Sequence, residues 1–89
     1  MRAVITVLGT DRVGIIAGVT LVLAESNTNI LDISQTIISG IFNMIMIVDL
    51  SSSSADHRDL QQKLAQKGED LGVQIRMQRE EVFQSMHRI

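Results

Sequence analysis

The stretch Ile30–Leu50, ILDISQTIISGIFNMIMIVDL, decides the architecture. It holds two apolar runs on either side of Ser39-Gly40, a two-residue signal for a tight hairpin turn. In the first run, Ile30–Ile38, alternation sets Leu31, Ile33, Gln35 and Ile37 on one side. Ile30, Asp32, Ser34, Thr36 and Ile38 fall on the other. The second run, Ile41–Leu50, is apolar on both faces, which predicts a strand in the middle of a sheet.

Upstream, Ala3–Leu8 is short, β-branched and closed by Gly9, and reads as a buried strand. Thr10, Asp11 and Arg12 form a turn. Val13–Ser26 follows with helical spacing, placing Ile15, Ile16, Val19, Val22 and Leu23 on one face. Asn27–Asn29 break it. Downstream, Ser51–Ser54 reads as a loop, with Ser53 and Asp56 fitting a capping pattern. A helix is expected to about Leu71, with Leu60, Leu64 and Leu71 inside and Gly72 at its C′ position. Val73–Arg79 alternates again. Glu80–Ile89 carries Val82, Phe83, Met86 and Ile89 at helical spacing. The order is βαββαβ plus a tail. It predicts an α+β, ferredoxin-like two-layer sandwich: an antiparallel four-stranded sheet with two helices on one face. Strands one and three are central and strands two and four are edges. Residues 1–80 form the domain and residues 81–89 an amphipathic tail. The outer sheet face, with Val4, Thr6, Leu8, Ile45 and Ile47, is expected to be covered by that tail or by a second subunit's sheet.

Composition narrows the function. The 89 residues include no cysteine, so neither a disulfide framework nor thiol chemistry is available. A net charge of −2 and two aromatics, Phe42 and Phe83, argue against nucleic-acid binding. The longest aliphatic run, Met44–Val48, is far short of the roughly 20 residues a bilayer needs. The opening MRAVITVLGTDR lacks a cleavage pattern, so a cytoplasmic location is expected. Two histidines, His57 and His87, read as surface residues, and no metal site is expected. No carboxylate pair, Ser-His-Asp set or phosphate-cradling run is present, so no catalytic residue and no enzyme activity are expected. Lys63, Lys67 and Arg58 read as a solvated helix face with i,i+4 pairs. Residues 56–89 hold 12 of the 18 charged residues. The charge-poor first half is therefore the expected interface. The outer face of the first helix, Gly14, Ala17, Gly18, Leu21 and Ala24, suits close approach by another chain.

The segment that carries chemistry is Gly9–Ile15, GTDRVGI. It joins a strand to a helix N-terminus, whose unpaired N–H groups and partial positive charge suit a carboxylate. Gly14 permits close backbone approach, and Asp11 can hold an ammonium group. A zwitterion needs that pairing. The plainer reading makes Asp11 an N-cap and Gly14 a packing residue.

The element order, with GTDRVGI after the first strand and NILDISQ opening the second, resembles an ACT domain over roughly residues 2–79. It is similar to the small free-standing bacterial ACT proteins related to glycine-cleavage regulators and to the front domain of formyltetrahydrofolate deformylases. The ending M-H-R-I resembles one uncharacterised family of such proteins. The resemblance implies a regulatory module, without a cofactor, that binds an amino acid or related small carboxylate as a homodimer or higher oligomer. In such domains the loop after strand one of one subunit meets strand two of another. The ligand-binding residues so implied are Asp11, Arg12, Val13, Gly14, Ile15 and Asn29. Two positions depart from the pattern: many amino-acid-binding members carry asparagine where Asp11 stands and proline where Val13 stands. The alternative function is a dimerisation or protein-interaction domain that takes no ligand.

Overall fold

A computed structural model of the chain describes residues 1–86. The elements run β1 (Arg2–Thr10), α1 (Ile15–Glu25), β2 (Asn29–Ile38), β3 (Ile41–Asp49), α2 (His57–Leu71), β4 (Val73–Arg79) and α3 (Glu80–Met86). The strands form one antiparallel sheet in the order β2-β3-β1-β4. The apolar runs thus hold the centre and the half-polar ones the edges, as their patterning requires. Ser39 and Gly40 both take positive φ, 50° and 78°, the backbone of a type I′ hairpin turn.

Register sets the layers. Ile5 pairs with Met46 and Val7 with Met44, so Ala3, Ile5 and Val7 share the inner face with Phe42, Met44, Met46 and Val48. All are buried, and α1 and α2 cover them with Ile15, Val19, Leu23, Leu60 and Leu64.

The inner stripe of α2 includes Gly68, which the leucine spacing alone misses. A Cβ there would sit 2.8 Å from the Val73 carbonyl oxygen, so only glycine lets α2 approach β4 so closely. The helix is capped by Asp56, whose Oδ1 accepts the Asp59 N–H at 2.8 Å. Ser53, the expected cap, instead donates to Ala55 O at 2.6 Å and to Ser26 O at 3.2 Å, tying the loop to the end of α1. The two ion pairs among the described residues lie elsewhere, so the charges of α2 are solvated rather than paired.

Three expectations about faces change. The register slips between Ile30 and Asp32, so Ile30 pairs with Val48 and Asp32 with Ile47. Leu31 is the extra residue of this bulge, and Ile30 therefore shares the inner face with Ile33, Gln35 and Ile37. Gly18 does not lie on the free side of α1: a Cβ there would meet Leu71 Cδ1 at 2.9 Å, so it packs on α2. Ile16 lies at the margin of the buried stripe and is exposed.

On the outer face, Val4 is only 4% exposed while Leu8, on the same side of β1, is 49% exposed. The difference is α3, which touches β1 and β4 and is tied down by Arg2 Nη2 to Glu80 Oε2 at 3.1 Å. Its Phe83 is partly buried and Val82 exposed. Ile89 and His87 of the expected stripe and tail lie outside the described residues.

Candidate ligand-binding site

The loop between β1 and α1 is built by three constraints. Gly9 lies against β4, where a Cβ would meet Val73 Cγ1 at 2.7 Å. The Asp11 N–H donates to Gly40 O at 2.8 Å, extending the β1–β3 ladder one step past the strand. Arg12 Nη1 donates to Leu71 O at 2.9 Å, placing a cation at the C-terminal end of α2, where the helix dipole favours it.

Gly14 then turns the chain into α1. Its φ of 97° lies in the left-handed region, so it is the N-cap and a conformational requirement. Two expectations are corrected by this. The helix begins at Ile15 rather than Val13, and Val13 sits on the turn, 98% exposed. Asp11 is not the cap: no side chain caps α1. With neither a cap nor an acidic first turn, the leading N–H groups of α1 stay open and the partial positive charge of the helix end stays unanswered. The first backbone bond of the helix is Gly18 N–H to Gly14 O at 2.8 Å. Asp11, three residues before Gly14 in the same loop, is exposed.

Asn29 lies at the other end of the sheet. It pairs with Asp49, which pairs with Arg2, whereas Thr10 pairs with Ile41 beside the hairpin. The two ends of β1 are about 27 Å apart at roughly 3.4 Å per residue. One chain therefore brings Asp11, Arg12, Val13, Gly14 and Ile15 together and leaves Asn29 remote. Asn29 lines a depression of about 430 Å³ with Ala24, Asn27, Thr28 and Ser52. Its walls are fixed locally: Asn27, at φ 53°, donates through Nδ2 to Ser52 O at 2.9 Å, and Thr28 Oγ1 donates to Ser53 Oγ at 3.2 Å. The Asn and Ser richness of residues 26–29 and 51–54 was the available signal for this second polar cluster.

Beside it, Asp49 Oδ1 accepts from Ser51 Oγ at 2.7 Å and from the Ser51 N–H at 2.9 Å, and the Met1 ammonium lies 3.7 Å away. The Ser51 hydroxyl, followed by the Ser51 N–H, holds the Asp49 carboxyl below its ordinary range. His57 is not a plain surface residue, since its Nε2 is sealed from solvent. Among the described residues no group of three His, Cys, Asp or Glu side chains could hold a metal ion. No helix among them is long and apolar enough to cross a membrane.

An antiparallel β2-β3-β1-β4 sheet, α1 and α2 on one face and an open helix N-terminus after β1 define a class of small βαββαβ domains. The chain belongs to the ACT-domain family, whose model matches residues 2–78. Among similar proteins is a UPF0237 protein of Methanocaldococcus jannaschii, 53% identical over 99% of this chain and 98% of that one. A UPF0237 protein of Listeria monocytogenes is 53% identical over the whole of both chains. Of solved structures, an ACT domain protein from Streptococcus pneumoniae superposes with a TM-score of 0.81 at 40% identity, covering 93% of each chain. A formyltetrahydrofolate deformylase from Pseudomonas syringae gives 0.80 at 26% identity, over 88% of this chain and 27% of that one.

Proposed function

We propose that the chain is a regulatory module that binds an amino acid or a related small carboxylate at a site shared by two copies. The observation that carries this reading is the division of the site. The open N–H groups of α1 and the Asp11 carboxylate stand at one end of the sheet, and Asn29 at the other. Antiparallel pairing of two β2 edges sets the Asn29 end of each copy beside the loop of its mate. The α1 donors then face the ligand carboxylate, Asp11 takes the ammonium group, and Asn29 of the second copy adds a side-chain contact. The sequence supports it too, because the charge-poor half of the chain holds this edge, and Leu21, Ile33 and Ile37 are exposed there.

The test is a thermal-shift screen of the twenty amino acids and common metabolites. A ligand at ~100 times its Kd adds about 2.7 kcal/mol, a shift of several degrees in a domain this small. Asp11→Ala abolishes the shift for an amino acid while leaving the unliganded Tm unchanged, because Asp11 caps nothing. An Asp11→Ala variant with an undiminished shift overturns the assignment.

A further inference from the structure

We propose that the outer face of the sheet, between α3 and the β2–β3 hairpin, is a docking surface for an amphipathic helix of another protein that carries an acidic residue beside its apolar stripe. This goes beyond the ligand site and does not depend on it. The chain itself shows how the face takes a helix. α3 seals Val4 to 4% exposure, while Leu8, on the same side of β1, stays 49% exposed. The cover is short. α3 has seven residues, about 10 Å at roughly 1.5 Å per residue, against about 30 Å for the nine residues of β1. The strand surface left over is long enough for a helix of about three turns.

That surface is apolar and continuous at its centre. Leu8 pairs with Asn43, so it lies diagonally between Ile41 and Ile45, and Ile41 pairs with Ile38. Ile38, Ile41 and Ile45 are 67%, 53% and 41% exposed. Apolar side chains exposed singly are ordinary, whereas four neighbours on one sheet face form a patch. Two depressions meet at Leu8 and Asn43: one of about 370 Å³ reaches Ile38 and Ile41, and one of about 360 Å³ reaches Gln74 and Arg76.

Charge selects the occupant. Arg76 lies opposite Thr6 of β1, and both line the second depression. Among the described residues its guanidinium has no ion-pair or hydrogen-bond partner. The other charges on the strands of this face are engaged: Arg2 with Glu80, Asp49 with Ser51 and the Met1 ammonium, and Asp32 with the Ile33 N–H. A carboxylate is therefore the complement this surface lacks. Shape favours a helix over a second sheet. α3 stands as a step about 10 Å high at one end of the face, which a flat sheet would have to clear. A helix laid beside α3 at an interaxial distance of about 8–10 Å rests on the sheet and on α3 together, as α1 and α2 lie against each other on the opposite face.

The test is selection of a phage-displayed library of helical peptides on the immobilised full chain, with the affinities of enriched peptides measured by fluorescence anisotropy. Enriched sequences should carry apolar residues at i, i+3 or i+4 and i+7, with aspartate or glutamate alongside. Leu8→Thr and Ile45→Thr, both compatible with a strand, should each weaken binding roughly tenfold. Selection repeated on Arg76→Glu should enrich basic peptides instead. No enrichment, enriched peptides without an acidic preference, or binding untouched by both threonine variants overturns the proposal. Enrichment obtained only after residues 87–89 are removed assigns the groove to the chain's own end and also overturns it. So does peptide binding that is lost as the chain's own concentration rises, which assigns the face to a second copy.

Discussion

Replacing Ile37 by threonine isolates the energetics of the β2 edge. Ile37 is 52% exposed in a single copy, so its surroundings there are half water. Threonine keeps the β-branched shape that suits a strand and exchanges the outer carbons for a hydroxyl. Fully burying an isoleucine contributes about 1.5–3 kcal/mol, and the half still exposed accounts for about 1 kcal/mol. Two-fold symmetry counts each residue twice, so the dimer loses about 2 kcal/mol, or roughly 30-fold in its dissociation constant. Sedimentation equilibrium over a wide concentration range measures this. Tm at a dilution where wild type is monomeric serves as the control and stays within about 1 °C, because exposed sites scarcely affect the fold. A dissociation constant unchanged by Ile37→Thr, with the Tm control satisfied, refutes the claim that this edge is buried on association.

Three other perturbations test the local assignments. Asp56→Ala removes the α2 cap and costs about 1 kcal/mol in urea unfolding; an unchanged midpoint would show that Asp56 does not cap. Gly14→Ala meets no steric obstacle, since nothing lies within 4 Å of its Cβ, so its cost of about 1–2 kcal/mol is that of a left-handed alanine alone. A cost near zero in the same assay would mean that the β1–α1 turn relaxes. Asp49, whose carboxyl pKa is lowered, stabilises the fold above its unfolded pKa, and the contribution disappears as pH falls through the lowered folded value. Ser51→Ala removes the principal cause and raises the Asp49 pKa toward the ordinary range, read by NMR titration of the carboxyl carbon; no change would assign the shift elsewhere.

The strands were legible in the chain because burial on one or two faces writes itself as alternation or continuity. Ala3–Leu8, the Ser39-Gly40 hairpin and Val73–Arg79 follow directly from it. The bulge at Leu31 was not legible: the adjacent apolar pair Ile30-Leu31 interrupts the alternation of LDIS, and only pairing with β3 shows that the register slips there. Spacing set Gly18 on the free face of α1 and passed over Gly68, for a related reason. Helical spacing shows that Gly18 and Gly68 are small, and only the packed neighbours Leu71 and Val73 show why. Gly9–Ile15 was readable as the turn between a strand and a helix N-terminus. The α1 start was misplaced by two residues because a valine before a glycine carries no signal of the left-handed turn that follows. Asn29 was placed with that loop through resemblance, yet it lies a strand's length away in one chain.

The shared site is tested most directly by mixing two defective variants, Asp11→Ala and Asn29→Ala, and titrating the mixture calorimetrically with the amino acid that gives the largest thermal shift. Each variant alone forms dimers in which every site lacks one contact, and neither binds. Random exchange makes about half of the dimers mixed, and each mixed dimer holds one complete site and one doubly defective site, so about a quarter of the wild-type capacity returns at wild-type affinity. A mixture that binds no better than its components contradicts a site composed of Asp11 from one copy and Asn29 from the other.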